Sequence, residues 1–258
     1  MTFQDIWTYR ELFYFLASRD VKIRYKQTLL GILWVIIQPI STMVIFTLLF
    51  GRVAHLPSDG TPHAVFYLAA LLPWTYFSTN LVQVGNSLVS NSGLLTKVYF
   101  PRVILPASVA LAGLLDFLIG SLCLIGVIIY YKIPVTTALL LWPVAVAVLF
   151  AFTLGLGMIL AALNVQYRDV KYAIPFAVQL LLFLTPIIYP ASLVPGRYRL
   201  AMALNPLSGL VEVFRFTIVP TREMDWNLFV ISVIASVLTC LIGLWYFRKT
   251  ERLFADIV

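Results

Sequence analysis

The chain has 258 residues, 61% of them hydrophobic and only 11% charged, with a mean hydropathy of +0.95 and a net charge of +7. A soluble globular domain carries about 25% charged residues, so this composition excludes an ordinary water-soluble domain and points to a polytopic membrane protein. The positive excess does not point to nucleic acid, because the cations flank apolar runs and form no single basic patch.

Residues 3–27 set apolar Ile6, Trp7, Phe13, Leu16, Ile23 and Tyr25 against polar Asp5, Arg10, Glu11, Asp20, Lys22 and Lys26 at helical spacing. No apolar run here is long enough to cross a bilayer. The segment is therefore predicted as an amphipathic helix lying on the membrane, the plainer alternative being a helix packed on protein. Arg19, Lys22, Arg24 and Lys26 put four cations just ahead of the first apolar run, which predicts a cytoplasmic N-terminus. About 28 residues of mixed charge precede that run and no small-residue cleavage site follows it, so no cleavable signal peptide is expected.

The first span is predicted at 30–50, with Gln38-Pro39 inside it, where proline removes a backbone hydrogen bond. A polar turn at 51–63 leads to a second span at 64–90. Its first half is apolar; its second half carries Ser78, Thr79, Asn80, Gln83, Asn86 and Ser87, which should face protein, a cavity or headgroups. A short amphipathic helix is expected in 91–103. Spans follow at 104–130 and 138–163, then a polar loop at 164–171 and a span at 172–190 with Pro175 and Pro186 near its ends. Residues 191–225 hold two short periodic pieces, 198–204 and 207–219. They are joined by Asn205-Pro206, a helix-start pair. Each piece is too short to span, so a re-entrant or interfacial hairpin at the outer face is predicted. A sixth span at 227–247 and a polar tail complete an all-α integral membrane fold of a single domain, 1–258, with both termini cytoplasmic. Of the 18 Lys and Arg, twelve fall inside and six outside in this topology, the expected bias.

Few residues suggest chemistry. Asp116 is an acid in mid-span, and Ser108, Ala112, Asp116 and Gly120 share one small-residue stripe. Asp116 reads either as a proton or ion site or as a hydrogen-bonded packing residue; no second acid or base accompanies it within a span. Glu212 and Arg215, three apart, can pair on one helix face. They read either as a latch on an outer gate or as a solvated surface pair. Cys123 and Cys240 sit in apolar runs, and His55 and His63 lack thiol or carboxylate company, so no metal site is expected. There is no phosphate-binding glycine loop and no catalytic constellation, so no enzyme activity and no directly bound cofactor are expected. Any energy source lies on a partner. Aromatic Trp34, Phe46, Trp74, Tyr76, Phe77 and Tyr189 lie in or near spans, and such rings serve an interfacial belt, helix packing or the lining of a path.

The stretch RDVKIRYKQTLLGILWVIIQP at 19–39 resembles the opening of polysaccharide-exporting ABC transporter permeases, the membrane subunits for O-antigen, teichoic acid and capsule polymers. LLTKVYFPR at 94–102, ALNVQYRDVKYAIPF at 162–176 and NPLSGLVEVFR at 205–215 extend the resemblance over almost the whole chain in order. It implies a homodimer with a channel at its interface, in the bacterial inner membrane. It also implies two copies of a separate cytoplasmic ATPase that uses ATP and magnesium. The family's ATPase contacts map onto Gly93, Leu94, Leu95, Lys97, Tyr99, Arg102, Tyr167, Arg168 and Asp169. Its outer gate maps onto the hairpin with Asn205, Pro206, Glu212 and Arg215. A lipid-linked polysaccharide is the implied substrate, its pyrophosphate received by Arg19, Lys22, Arg24 and Lys26, whose cations suit it. The competing readings are a drug or small-molecule efflux permease of the same superfamily, an ion-coupled carrier built on Asp116, and a membrane-embedded transferase.

Overall fold

The computed structural model describes residues 8–26, 31, 33–95, 97, 100–219, 224–251 and 254; among them there is helix and no strand. Helix α1 (Arg10–Tyr25) precedes α2 (Leu33–Phe46), which continues as a wider π turn over Thr47–Val53. Then come α3 (His63–Ser90), the short α4 (Ser92–Leu95) and α5 (Ile104–Tyr130). After a 3-10 turn at Thr137–Leu141 follow α6 (Trp142–Gln166), α7 (Val170–Leu184), α8 (Gly196–Ala203), α9 (Pro206–Ile218) and α10 (Trp226–Thr250).

Among the described residues, five segments are long and apolar enough to cross a membrane: Leu33–Val53, His63–Ser90, Ile104–Tyr130, Thr137–Gln166 and Trp226–Thr250. The predicted fifth span, 172–190, differs. Its helix α7 stops at Leu184 after 15 residues, about 22 Å at 1.5 Å per residue and short of a ~30 Å hydrocarbon core. Pro186 explains the stop. Its ring disfavours helical geometry in the residue before it, and Thr185 is extended at φ −96°, ψ 137°. The π turn was not foreseen either. It brings Gly51 against His63, where a Cβ would lie 2.8 Å from the imidazole Cδ2.

Helix α3 is the axial element. Of its most apolar window, 78% is buried inside the chain, and it packs against α2, α5, α6, α7 and α9. Phe66, Tyr67 and Phe77 are fully buried there. Its predicted polar half faces protein: Asn80 and Ser87 are buried, and Asn80, Asn86 and Asn91 each donate from Nδ2 to the carbonyl four residues back, at 2.8 Å. Helix α6 takes the other side of α3 and crosses α10. At that crossing a Cβ on Gly155 would meet the Cys240 backbone nitrogen at 2.7 Å, so only glycine lets the two backbones approach so closely. Helix α2 is mostly exposed, with Pro39 its single buried residue.

Candidate functional site

The predicted functional residues fall at three levels along the bundle. At one end, four chain segments meet in a single apolar cluster. It contains Leu16 of α1, Leu88 and Leu95 of α3 and α4, Ala162 and Val165 of α6, and Phe247 and Phe254 at the end of α10. Around it Arg102 and the start of the 164–171 loop are fixed by polar contacts. Asn164 donates from Nδ2 to the Gly85 carbonyl at 3.0 Å and to Asn86 Oδ1 at 2.9 Å, tying the end of α6 to α3. The Arg102 backbone N–H donates to Glu251 Oε1 at 3.0 Å, and its guanidinium donates to the Glu251 carbonyl. Leu95 is buried, so Leu95 and Arg102 hold the surface from beneath. Gly93, Lys97, Tyr167, Arg168 and Asp169 are exposed on it, and Leu94 is half-buried. Tyr99 lies outside the described residues.

One level up, the four cations of the N-terminal stretch divide into two pairs. Lys22 and Lys26 are exposed. Arg19 and Arg24 turn inward. Arg19 donates to Asp20 Oδ1 at 2.8 Å and to Asn91 Oδ1 at 2.9 Å. Arg24 forms an ion pair with Asp116 and donates to Gln83 Oε1, while the Tyr25 hydroxyl donates to Asp116 Oδ1. Asp116 therefore has a basic companion after all; it comes from α1, 92 residues away in sequence. Burial, and then the hydrogen bond to Asp116, push the Tyr25 phenol up from its ordinary value, so it stays a protonated donor. Arg24, Tyr25 and Asp116 line a cavity of about 490 Å³ between α2, α3 and α5, with Trp34, Leu72, Tyr76, Asn80 and Phe117.

At the opposite end lies the hairpin. Helix α9 starts where predicted: Asn205 Oδ1 accepts the Leu207 N–H at 3.1 Å with Pro206 in the first turn. The Glu212–Arg215 pair is not a solvated surface pair, because the Arg215 side chain is 1% exposed and that of Glu212 12%. Arg215 donates to Glu212 Oε1 at 3.1 Å and to the carbonyls of Pro186 at 2.7 Å, Ile187 at 2.8 Å and Phe66 at 3.3 Å. Its guanidinium also stacks over the Phe66 ring at 3.6 Å. Asn205 Nδ2 donates to Thr185 Oγ1 at 2.9 Å. Both ends of α9 are thus fastened to the turn that ends α7.

The six predicted aromatic residues separate by burial. Trp34 is 56% exposed and Tyr189 half-buried; Phe46 packs edge-on against Phe50 and Tyr67. Trp74, Tyr76 and Phe77 are buried within the subunit, Phe77 stacked on Phe152 and Tyr76 donating to the Ala110 carbonyl. Phe183, an aromatic residue within the predicted fifth span, is exposed on α7, and the structure adds Tyr172 and Phe176 on the same exposed face.

The chain matches the ABC-2 type transporter family over residues 11–219. It is 34% identical over 215 residues to the O-antigen export system permease protein RfbA of Myxococcus xanthus, covering 82% of each chain. It is 26% identical over 253 residues to the protein of the same name from Klebsiella pneumoniae, covering 96% of this chain and 95% of that one. The polysialic acid transport protein KpsM of Escherichia coli is 24% identical over 244 residues, with 92% of each chain covered. Its all-helical, multi-pass form and this match over most of its length make the chain a member of the ABC-2 type transporter family.

Proposed function

We propose that the chain is the membrane-spanning subunit of an ATP-driven exporter of a lipid-linked polysaccharide. It acts as a homodimer in the bacterial cytoplasmic membrane, with both termini inside and two copies of a separate ABC ATPase docked there. The observation that carries this is similarity along nearly the whole chain to export and transport proteins named for two different polymers, O-antigen and polysialic acid. In this reading α7 is a sixth crossing segment and α8 and α9 form the outer gate. The exposed Gly93, Lys97, Tyr167, Arg168 and Asp169 meet the ATPase, together with Leu94, Leu95, Tyr99 and Arg102 around them. Lys22 and Lys26 face the headgroups that carry the substrate's pyrophosphate, with Arg19 and Arg24 behind them. A continuous path between subunits is lined by exposed rings such as Trp34 of α2 and Tyr172, Phe176 and Phe183 of α7.

The mechanism follows from how force can travel. The 167–169 turn leads directly into α7. The far end of α7 is bonded to α9 through Arg215 and Asn205. A push on the turn by the ATPase moves α7 as a rod and carries α9 with it. Turning a gate from about 1:99 to 99:1 needs roughly 5.5 kcal/mol of differential binding, which a nucleotide-driven dimer can supply. The test is reconstitution with a co-expressed ATPase: polymer should move only when ATP is hydrolysed. Transport by the permease alone under a proton or sodium gradient sinks the reading.

A further inference from the structure

Another cavity, also of about 490 Å³, lies between α6, α7, α8 and the start of α9. Its wall is apolar, built from Phe152 and Leu156 of α6, Leu181 and Leu184 of α7, and Ala201 and Met202 of α8. No charged residue lines it, and its polar groups, Tyr189, Tyr198 and Asn205, all follow α7 in the chain.

Its depth follows from α6 and α7, which run antiparallel from the turn at 167–169. Leu156 is ten residues from the end of α6 at Gln166, and Leu181 eleven from the start of α7 at Val170. At 1.5 Å per residue both stand about 15–17 Å from that turn. Phe152 and Leu184, each fourteen residues from the same ends, stand about 21 Å from it. The turn is exposed and carries Arg168 and Asp169, so it marks the edge of the hydrocarbon on that side. In a ~30 Å core the cavity floor is then at mid-membrane, and its walls rise through the half nearer α8. That is the depth of acyl chains. Tyr189 and Tyr198 above it are the ring type of a membrane interface.

The roof carries cations. Arg197, Tyr198 and Arg199 are exposed on α8. The Arg197 guanidinium lies 4.7 Å over the ring of Tyr198, which lines the cavity, so Arg197 is held at its rim. From Leu184 to Pro206 the sequence has no acid. Among the described residues Asp59 is the acid bonded to this stretch, at Ser192, and neither Arg197 nor Arg199 pairs with a carboxylate. The positive bias of membrane topology does not account for these two cations, since the predicted topology leaves both outside. A guanidinium without a carboxylate, at the rim of an apolar cavity of acyl depth, matches a lipid whose headgroup is anionic. We propose that the cavity holds an acyl chain of an anionic phospholipid from the leaflet at the α8 end. The chain runs past Leu184 and Phe152 to Leu181 and Leu156, the phosphate accepts from Arg197, and Arg199 adds a second positive charge that disfavours a zwitterionic headgroup. This is independent of the export reading, because a resident lipid needs no transport.

The test reconstitutes the full chain in vesicles that contain phosphatidylglycerol or phosphatidylcholine with a photoactivatable diazirine near the end of one acyl chain. After irradiation, the labelled residues are located by peptide mass spectrometry. Leu156 should be labelled about tenfold more by phosphatidylglycerol than by phosphatidylcholine, while exposed Leu238 on α10 is labelled equally by both. The double variant Arg197→Gln, Arg199→Gln should bring the two lipids level at Leu156. Ala201→Trp, at an exposed position lining the cavity, should remove the label at Leu156 and keep that at Leu238. Equal labelling of Leu156 by the two lipids in the unaltered chain, no label there from either, or an unchanged preference in the double arginine variant overturns the proposal. So does stronger labelling of Leu156 by a polyprenyl phosphate carrying the same group, which assigns the cavity to a transported lipid instead.

Discussion

Replacing Arg215 tests the account of the hairpin most directly. In Arg215→Ala, the carbonyls of Phe66, Pro186 and Ile187 lose a charged donor, and Glu212 loses its partner in a nearly dry setting. Breaking a buried ion pair by removing one side costs about 3–5 kcal/mol, because the other charge stays behind uncompensated. The stacked Phe66 ring adds about 2 kcal/mol at most. A loss of about 4 kcal/mol is therefore expected in equilibrium unfolding of the purified chain in mixed micelles. Proteolytic cutting of 191–225 should become faster. The double variant Glu212→Gln, Arg215→Met removes both charges and fills much of the same volume, so it should recover about half of that loss, a coupling of 1–3 kcal/mol. Arg215→Lys should fall between, since one ammonium cannot serve four acceptors in the guanidinium's plane. A loss under about 1 kcal/mol for the alanine variant, or strict additivity in the double variant, refutes the assignment of Arg215 as the bond between α7 and α9.

Other outcomes follow from the same geometry. Gly155→Leu should separate α6 from α10 and cost several kcal/mol by overpacking, read as loss of the folded fraction in the same titration. Asn164→Ala leaves the Gly85 carbonyl and Asn86 Oδ1 without their donor and should cost about 1–3 kcal/mol, with faster amide exchange at the end of α6. Arg168→Glu, on an exposed turn, should leave stability within about 0.5 kcal/mol while reducing co-purification of the ATPase. Asn205→Ala removes the cap of α9 and the link to Thr185; a loss of about 1 kcal/mol should appear in unfolding.

Hydropathy made the long spans legible, because a bilayer demands about 20 apolar residues and the chain supplies them between polar turns. The start of α9 was legible too, since Asn205-Pro206 is a local signal. The end of α7 was written in Pro186, yet the apolar run on either side concealed it. The burial of Arg215 could not be read, because its acceptors are backbone carbonyls 28 to 149 residues away and carbonyls carry no sequence signature. Asp116 stood out as a lone acid, but its partner Arg24 reads locally as one more topology-setting cation. Only the path of α1 against α5 brings the two together. Gly51 and Arg52 marked the end of the first apolar run, but nothing in them distinguishes the π turn at Thr47–Val53 from the polar turn expected there.

The apolar cluster at the α1 end has a consequence for how the molecule is made. Leu16 and Phe254 are far apart in sequence yet share that cluster, so it closes only once both have been made. A surface built on it is therefore incomplete on any polypeptide cut short before Phe254, and a partner that recognises that surface discriminates against such polypeptides by geometry alone.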